Sequence, residues 1–414
     1  MQLTNEAARI AKDQSRVEPK TQLGNHRLSL TCVCLSSNGL YAFTGSKDGS
    51  IVKWCLQTRK IVAKVNAVSS REAEQNEEVS KSHHTKHINC ITISSDDKFL
   101  VSGGWDKQIR VWSPDNLSWV HTFSKHRQEV TALAFRDGHH LLYSGSADNS
   151  VMLWTLEDDD NRCFVEALFG HESTVTSMDV LKKERVLTAG GRDQTIRIWK
   201  IVEQAQTVYE SKHESVDVVR YVDDKTFVSG GEDGSISVWT TMKRTPVVTI
   251  DNAHRLSPNA IEGLNFDQVP KLAWISSLAT FSTAIKSSKS TKRVKLDDAV
   301  EGFTNEFDGD QGSDSDGADS DRGVVGKSSM KKVPVAMIAS GSCNSEIKLW
   351  KLIKAGSDYE LKFQQLFECP GFINDLEFTP DGKRLIAACG QEHKYGRWWK
   401  LRGSKNCIRI FDVN

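Results

Sequence analysis

The sequence predicts an all-β chain closed into a seven-bladed propeller, and two observations predict it. Tryptophan recurs at the end of short β-rich runs, six residues after an aspartate. The runs are KDGSIVKW (Asp48, Trp54), WDKQIRVW (Asp106, Trp112), ADNSVMLW (Asp148, Trp154), RDQTIRIW (Asp193, Trp199) and EDGSISVW (Asp233, Trp239). A sixth run, CNSEIKLW, carries Asn344 before Trp350, and a seventh, EHKYGRWW, carries His393 before Trp399. The second observation is the period. Consecutive aspartates from Asp106 to Asp233 stand 42, 45 and 40 residues apart, the length of four short strands and their turns. Radial repetition of such units leaves only short, protected sheet edges.

Within the repeats, INCITI, VTALAF and TVTSMDV alternate apolar with polar residues or run β-branched, and SSDDK and SPDN separate them as turns. Four strands per blade follow, with CIRIFDV near the C-terminus as the last outer strand. Residues 1–23 are expected to stand outside the ring as a helical or flexible segment, with a short helix over 5–16 capped by Asn5. Residues 24–414 then form the propeller. In the sixth blade a first strand near KLAWISSLAT and a second near VPVAMIASGS are separated by residues 283–332. Ser, Lys, Asp and Gly dominate that stretch, which predicts a disordered insertion. Lys286 to Lys295 holds five basic residues and no acid, whereas Asp297 to Asp321 holds ten acids and no base. Lys292, Arg293, Val294, Lys295 and Leu296, within TKRVKLDD, read as a nuclear import signal, a basic address in an extended segment. Ser313, Ser315 and Ser320 each precede an acid, as acidophilic kinases require, and phosphorylation there would deepen the negative charge.

The first six units also carry an upstream histidine: His26, His84, His126, His171, His213 and His254. In isolation such residues suggest metal ligands or general bases. The unit as a whole, however, resembles the WD repeat. That resemblance implies a buried hydrogen-bond chain in each blade joining the histidine, a strand Ser or Thr, the turn Asp and the Trp. In the third blade these are His126, Ser144, Asp148 and Trp154. In the fourth they include His171, Asp193 and Trp199, with Ala189 at the Ser position, so that chain is expected to be incomplete. The seventh blade has CPGFIND where the histidine would stand. No nucleophile elbow, phosphate loop, HExxH or ligand cluster is present. The chain is expected to be a scaffold and not an enzyme, with no metal and no cofactor.

Composition sets further bounds. Fifty-four basic and 54 acidic residues balance, so no global field draws the chain to nucleic acid or membrane. Nine cysteines include no CxxC pair and read as reduced thiols in an intracellular protein. Cys32 and Cys34 alternate onto one strand face, as packing residues do. The first twenty residues carry charges throughout, which argues against a secretory signal. No run of about 18 apolar residues suggests a membrane span.

Local charge is less even. Lys383 to Arg409 contains eight basic residues (Lys383, Arg384, Lys394, Arg397, Lys400, Arg402, Lys405 and Arg409) against Glu392 alone. Clustered base with Tyr395, Trp398 and Trp399 between fits phosphate contact with base stacking. Trp399 and Trp398 align with core and inter-blade packing positions of other repeats, so the Arg and Lys residues carry the functional reading. A second set comes from the turns. The residue before each turn Asp should point outward on one rim, which places Lys47, Trp105 and Arg192 there, diluted by Ala147, Glu232 and Cys343.

AGGRDQTIRIWKI in the fourth blade, WISSLAT in the sixth, and GFINDLEF with GQEHKYGRWWKL in the seventh resemble the WD-repeat family specific to the U3 small nucleolar ribonucleoprotein. The resemblance runs from about Asn25 to Val413. It implies a box C/D particle component in the nucleolus of the nucleus. Such a component recognises U3 small nucleolar RNA together with the core protein bound to its kink-turn, and supports early precursor-rRNA cleavages toward the small-subunit RNA. It also implies a charged N-terminal extension with import signals, a role TKRVKLDD would take here. Arg192, Lys394, Arg397, Arg402, Lys400, Lys47 and Trp105 are the expected RNA or particle contacts. The alternative is a substrate receptor of a cullin-type ubiquitin ligase or another nuclear protein–protein scaffold. Such receptors place Asp directly after the blade Trp, where this chain has Cys55, Ser113, Thr155, Lys200, Thr240 and Lys351.

Overall fold

Burial falls from the inner to the outer strand of each repeat, and this gradient arranges the chain. In the third repeat VTALAF (Val130–Phe135) is buried along its length, whereas CFVEALF (Cys163–Phe169) has no buried residue. The first therefore lines the ring axis and the second faces solvent. The computed structural model describes residues 16–17, 19, 21–24, 26–157, 163–254, 274–282, 333–356, 358–396, 400–401 and 403–413. Within these, seven sheets follow one another around the ring. Their inner strands are Leu30–Leu35, Ile88–Ile93, Val130–Phe135, Ser177–Val180, Val218–Asp223, Ile275–Ser282 and Phe372–Phe378. The import-like Lys292, Arg293, Val294, Lys295 and Leu296 lie outside the described residues, as does the expected helix over 5–16 except for Arg16, which is in a strand and not a helix.

The hydrophobic core is distributed between neighbouring blades. Val101, Ile109 and Val111 of blade 2 cluster with Val130, Leu142 and Trp154 of blade 3. Close approach requires a missing side chain in the second strand, at Gly45, Gly103, Gly145, Gly230 and Gly341. A Cβ on Gly103 would stand 2.6 Å from Val130 Cγ1, and one on Gly145 2.6 Å from Val175 Cγ1. The turn aspartate has a local cause as well. The residue after it takes a left-handed conformation at Gly49, Lys107, Asn149, Gln194, Gly234 and Ser345. The carboxylate accepts the next amide, as Asp193 Oδ1 does from Thr195 N at 2.8 Å.

Ring closure corrects the sequence reading. Cys407–Asp412 is the third strand of blade 7, and the outermost is Thr21–Leu23, paired antiparallel as Thr21↔Ile410, Gln22↔Arg409 and Leu23↔Ile408. Arg16–Val17 adds a parallel strand to the outer edge of blade 6. The propeller therefore takes in part of the segment 1–23 that sequence set apart. The C-terminal repeat supplies only three strands, and an unpaired edge of N–H and C=O groups is costly. The sequence also gave no warning of two helices between blades 1 and 2. Ser70–Gln75 starts at a capping box of Ser69 and Glu72, and Glu77–Ser82 is capped by Asn76. Arg110 holds the second to blade 2: its guanidinium donates to Ser80 O (2.9 Å), Lys81 O (3.2 Å) and Asp106 Oδ2 (2.6 Å).

Candidate nucleic-acid interface

Much of the polar chemistry is structural. In blade 3, Ser144 Oγ lies 2.7 Å from His126 Nε2 and accepts the indole N–H of Trp154 at 2.8 Å, while His126 Nδ1 meets Asp148 Oδ2 at 3.0 Å. Burial alone would raise the Asp148 carboxyl, but hydrogen bonds from His126 and Ser150 outweigh it and hold the group below its ordinary range. The same links join His84, Ser102, Asp106 and Trp112. Burial pushes the imidazoles down, to about 4 at His26 and about 3 at His254, so both rings are neutral.

Blade 4 differs from expectation. Its chain is complete, because Thr188 and not Ala189 is the central hydroxyl: Oγ1 lies 2.8 Å from His171 Nε2 and accepts Trp199 Nε1–H at 2.9 Å, and His171 Nδ1 lies 2.7 Å from Asp193. Thr188 stands five positions before Asp193, whereas Ser144 stands four before Asp148. Counting back from the Asp therefore lands one place late, on the position other blades give to glycine. Blade 5 departs from the pattern. His213 pairs with Asp233 but no bond joins it to Ser229, the acceptor of the Trp239 indole at 2.8 Å.

A second ring of contacts locks blade to blade. A side chain at the start of each inner strand donates to the carbonyl of the next blade. Thr31 reaches Ile88 O (2.6 Å), Asn89 Val130 O (3.0 Å), Thr176 Val216 O (2.9 Å) and Asn374 Leu30 O (2.6 Å), while Thr131 reaches Val175 O and Ser276 reaches Ile373 O. Blade 5 places Asp217 in this column. A carboxylate has no proton to donate, so at this position the latch is missing, and blades 5 and 6 are joined instead farther along the strand, where Thr280 Oγ1 donates to Tyr221 O at 2.6 Å. The carboxyl takes only Ser215 Oγ, at 3.2 Å. Burial, with Glu232 nearby, pushes it up to about 6.

The expected contact residues divide. Arg192 is exposed, Trp105 is 36% exposed with its ring 5.1 Å from His87, and Lys400 is exposed beside Glu392. Lys47 is not on the rim. It is 2% exposed, and its Nζ donates to Gly396 O at 2.6 Å and lies 3.4 Å from Glu392 Oε2. The long blade 7 loop after Gly390 folds over the blade 1 turn and buries it. Lys394 is half-buried at the channel mouth, with Nζ 3.4 Å from Ser276 O and its backbone amide bonded to Asn374 Oδ1 at 2.9 Å. Tyr395 donates its hydroxyl to Thr176 O, 3.5 Å away on blade 4. Residues His393–Gly396 thus cross the mouth of the central channel, touching blades 1, 4 and 6. His393 is buried within 5.6 Å of the Trp274 ring, and burial pushes its imidazole down to about 3. Arg409, counted among the basic residues, is buried in the third strand of blade 7. Arg397, Trp398, Trp399 and Arg402 lie outside the described residues.

Two cavities occupy the channel. At one mouth a space of about 490 Å³ is lined by Arg192, Asp217, Glu232, Trp274, Lys394 and Tyr395, among others. Toward the other end a space of about 470 Å³ is lined by Asp179, Arg220, Asp375 and Glu377. There Asp179 accepts Tyr221 N–H at 2.7 Å and Asp375 accepts Val33 N–H at 3.0 Å, so these acids brace neighbouring inner strands. Burial pushes Glu377 up to about 8, Asp375 adding to it and Arg220 opposing. Sequence reasoning missed Asp217, Glu232 and Trp274 as a group. The signal for Asp217 was present: it interrupts the column Thr31, Asn89, Thr131, Thr176, Ser276 and Asn374. Among the described residues no group of three or more His, Cys, Asp or Glu is placed to hold a metal, and no helix is long and apolar enough to cross a membrane.

The WD domain, G-beta repeat, matches residues 17–55, 77–113, 117–155, 162–200 and 205–240. The chain is 32% identical over 393 residues to U3 small nucleolar RNA-interacting protein 2 of Mus musculus, covering 94% of this chain and 68% of that protein. The chain belongs to the U3 small nucleolar RNA-interacting WD-repeat family. Within the family it is 29% identical over 398 residues to the U3 snoRNP-associated protein-like EMB2271 of Arabidopsis thaliana, covering 93% of this chain and 69% of that one. Ribosomal RNA-processing protein 9 of Saccharomyces cerevisiae is 25% identical over 453 residues, covering 90% and 68%. The crystal structure of RRP9 WD40 repeats superposes with a TM-score of 0.73 at 30% identity, over 95% of this chain and 97% of that one. The structure of U3-55K gives 0.72 at 30% identity, over 95% and 98%. Like these family members, the chain is a WD-repeat scaffold, and His84, His126 and His171 are engaged with the turn aspartates of their own blades.

Proposed function

We propose that this chain binds U3 small nucleolar RNA together with the kink-turn core protein of the box C/D particle. As a non-catalytic, monomeric scaffold in the nucleolus it supports precursor-rRNA processing toward the 18S small-subunit RNA. The observation that carries this reading is the similarity to U3 small nucleolar RNA-interacting proteins along 94% of the chain, blade 7 included. Recognition is of folded RNA, with cations fixing the backbone and specificity shared with the bound protein. Arg192 and Lys400, exposed in the structure, and Arg397 and Arg402 carry the phosphate contacts, with Trp105 at the rim. Lys47 and Lys394 hold the loop that precedes Arg397; Lys47 is buried and leaves the contact set, whereas Lys394 is half-buried and faces the channel cavity. Residues 292–296 supply nuclear import.

The test is crosslinking and immunoprecipitation of the tagged protein, with sequencing of the recovered RNA. U3 should be enriched over other box C/D RNAs, and enrichment should fall when Arg397 and Arg402 become Ala. Each direct charged contact is worth about 1–3 kcal/mol. Recovery of no small nucleolar RNA overturns the reading.

A further inference from the structure

Departures from the sevenfold pattern converge on one place. The blade 4 turn with its extra residue presents Arg192, blade 5 puts Asp217 in the latch column and Glu232 before its turn Asp, and blade 7 sends His393–Gly396 across the channel. All four features line the same cavity of about 490 Å³. Repeats that only pack have no reason to break their pattern at one mouth, so the cavity is built for a ligand.

Its chemistry is specific. Among the described residues, the Arg192 guanidinium and the Glu232 carboxylate make no side-chain hydrogen bond or ion pair, and Asp217 keeps acceptor capacity beyond its single contact with Ser215. An occupant must donate protons to two carboxylates and offer negative charge to Arg192. A lysine or arginine side chain meets the first need but adds a third cation beside Arg192 and Lys394. A bare phosphate meets only the second. A guanine nucleotide meets both. Its N1–H and N2–H₂ donors lie side by side on one edge, whereas adenine, cytosine and uracil each present no two adjacent donors there. Trp274 and Tyr395 give the wall the aromatic character on which splayed-out bases stack. The volume lies within the range of small-molecule sites.

We propose that the channel mouth takes one unpaired guanine nucleotide of the bound RNA, with Asp217 and Glu232 reading the base edge and Arg192 holding the phosphate. This rests on the chain being a U3 RNA-binding protein. It also explains the missing latch: the donor that would tie blade 5 to blade 6 has been replaced by an acceptor for the base.

The experiment uses the full chain, U3 RNA carrying 6-thioguanosine, and the variants Asp217→Asn and Glu232→Gln. Each variant should weaken U3 binding about tenfold, and photocrosslinks should join a guanosine to the peptide bearing Trp274 or Tyr395. Asp217→Asn restores a donor like Asn89 and Asn374 and should melt at or above the wild-type temperature, separating recognition from folding. If it folds poorly, Glu232→Gln decides, since its carboxylate makes no hydrogen bond or ion pair among the described residues. If the wild type binds U3 while both variants bind as tightly, or the cavity crosslinks to another base or to a polypeptide, the guanine site is overturned and the RNA-binding reading stands. If the wild type binds no U3 RNA, both fall.

Discussion

Thr188 offers the sharpest test of how the blades are held. Its Oγ1 accepts the Trp199 indole N–H at 2.9 Å and meets His171 Nε2 at 2.8 Å, at a site with no solvent exposure. Replacement by Val keeps the shape and removes the oxygen. A buried indole N–H then has no acceptor and an imidazole nitrogen no partner, at about 1–3 kcal/mol for an unsatisfied group and about 2–6 kcal/mol for the pair. Thr188→Ser keeps the oxygen and loses one buried methyl, costing about 1 kcal/mol. Ala189→Ser adds a hydroxyl where other blades carry glycine and should destabilise through overpacking, by about 1–3 kcal/mol. Urea denaturation followed by tryptophan fluorescence reads all three. At a slope near 3 kcal/mol per M, Thr188→Val should lower the midpoint by about 1–2 M. If Thr188→Val unfolds with the wild type and Ala189→Ser stabilises, the assignment of Thr188 as the chain residue is wrong.

Other perturbations follow from the same structure. The buried His254, held near 3 when folded, takes up a proton below its ordinary 6.5 only on unfolding. Its contribution is intact above pH 6.5 and lost as pH falls toward 3, at about 1.4 kcal/mol per pH unit, so His254→Gln should flatten the acid limb of stability measured by denaturation. Glu377 has the opposite sign. Raised to about 8 from an ordinary 4.5, it favours folding below pH 4.5 and loses that contribution as pH rises toward 8. Glu377→Gln should therefore gain on the wild type from pH 5 to 8. Arg110→Met should cost about 3–5 kcal/mol by leaving Asp106 buried without its cation. It should also speed hydrogen exchange over residues 77–87, and unchanged exchange there would refute the clamp. Removal of residues 1–24 deletes the outer strand of blade 7, and size-exclusion chromatography should show concentration-dependent association through the open edge.

The seven repeats were legible because each is built locally. The turn Asp, the left-handed residue after it and the alternating strand residues act within a few positions of one another, so a single period exposes them. The WD chain in blade 3 was legible for the same reason. Thr188 was misplaced by one because a single extra turn residue shifts the count without altering the strand pattern. The helices before blade 2 carry a capping box and few apolar residues, so they offer little helical periodicity and depend on the distant Arg110.

The sequence by itself determined the propeller, the number of blades and the family, since these rest on spacing and on residue types that satisfy their neighbours in the same blade. Only the tertiary structure decided which residues remain available to a partner. Lys47 and Lys394 look as free as Arg192 in a list of charges. Lys47 is buried and Lys394 is turned into the channel because the blade 7 loop returns over blade 1 and across the channel, forming contacts over 349 residues from Lys47 to Gly396 and 219 from Tyr395 to Thr176. The closing strand and the pairing of Asp217 with Glu232 at one mouth have the same origin. They depend on which segments meet when the ring closes, and no local pattern records that meeting.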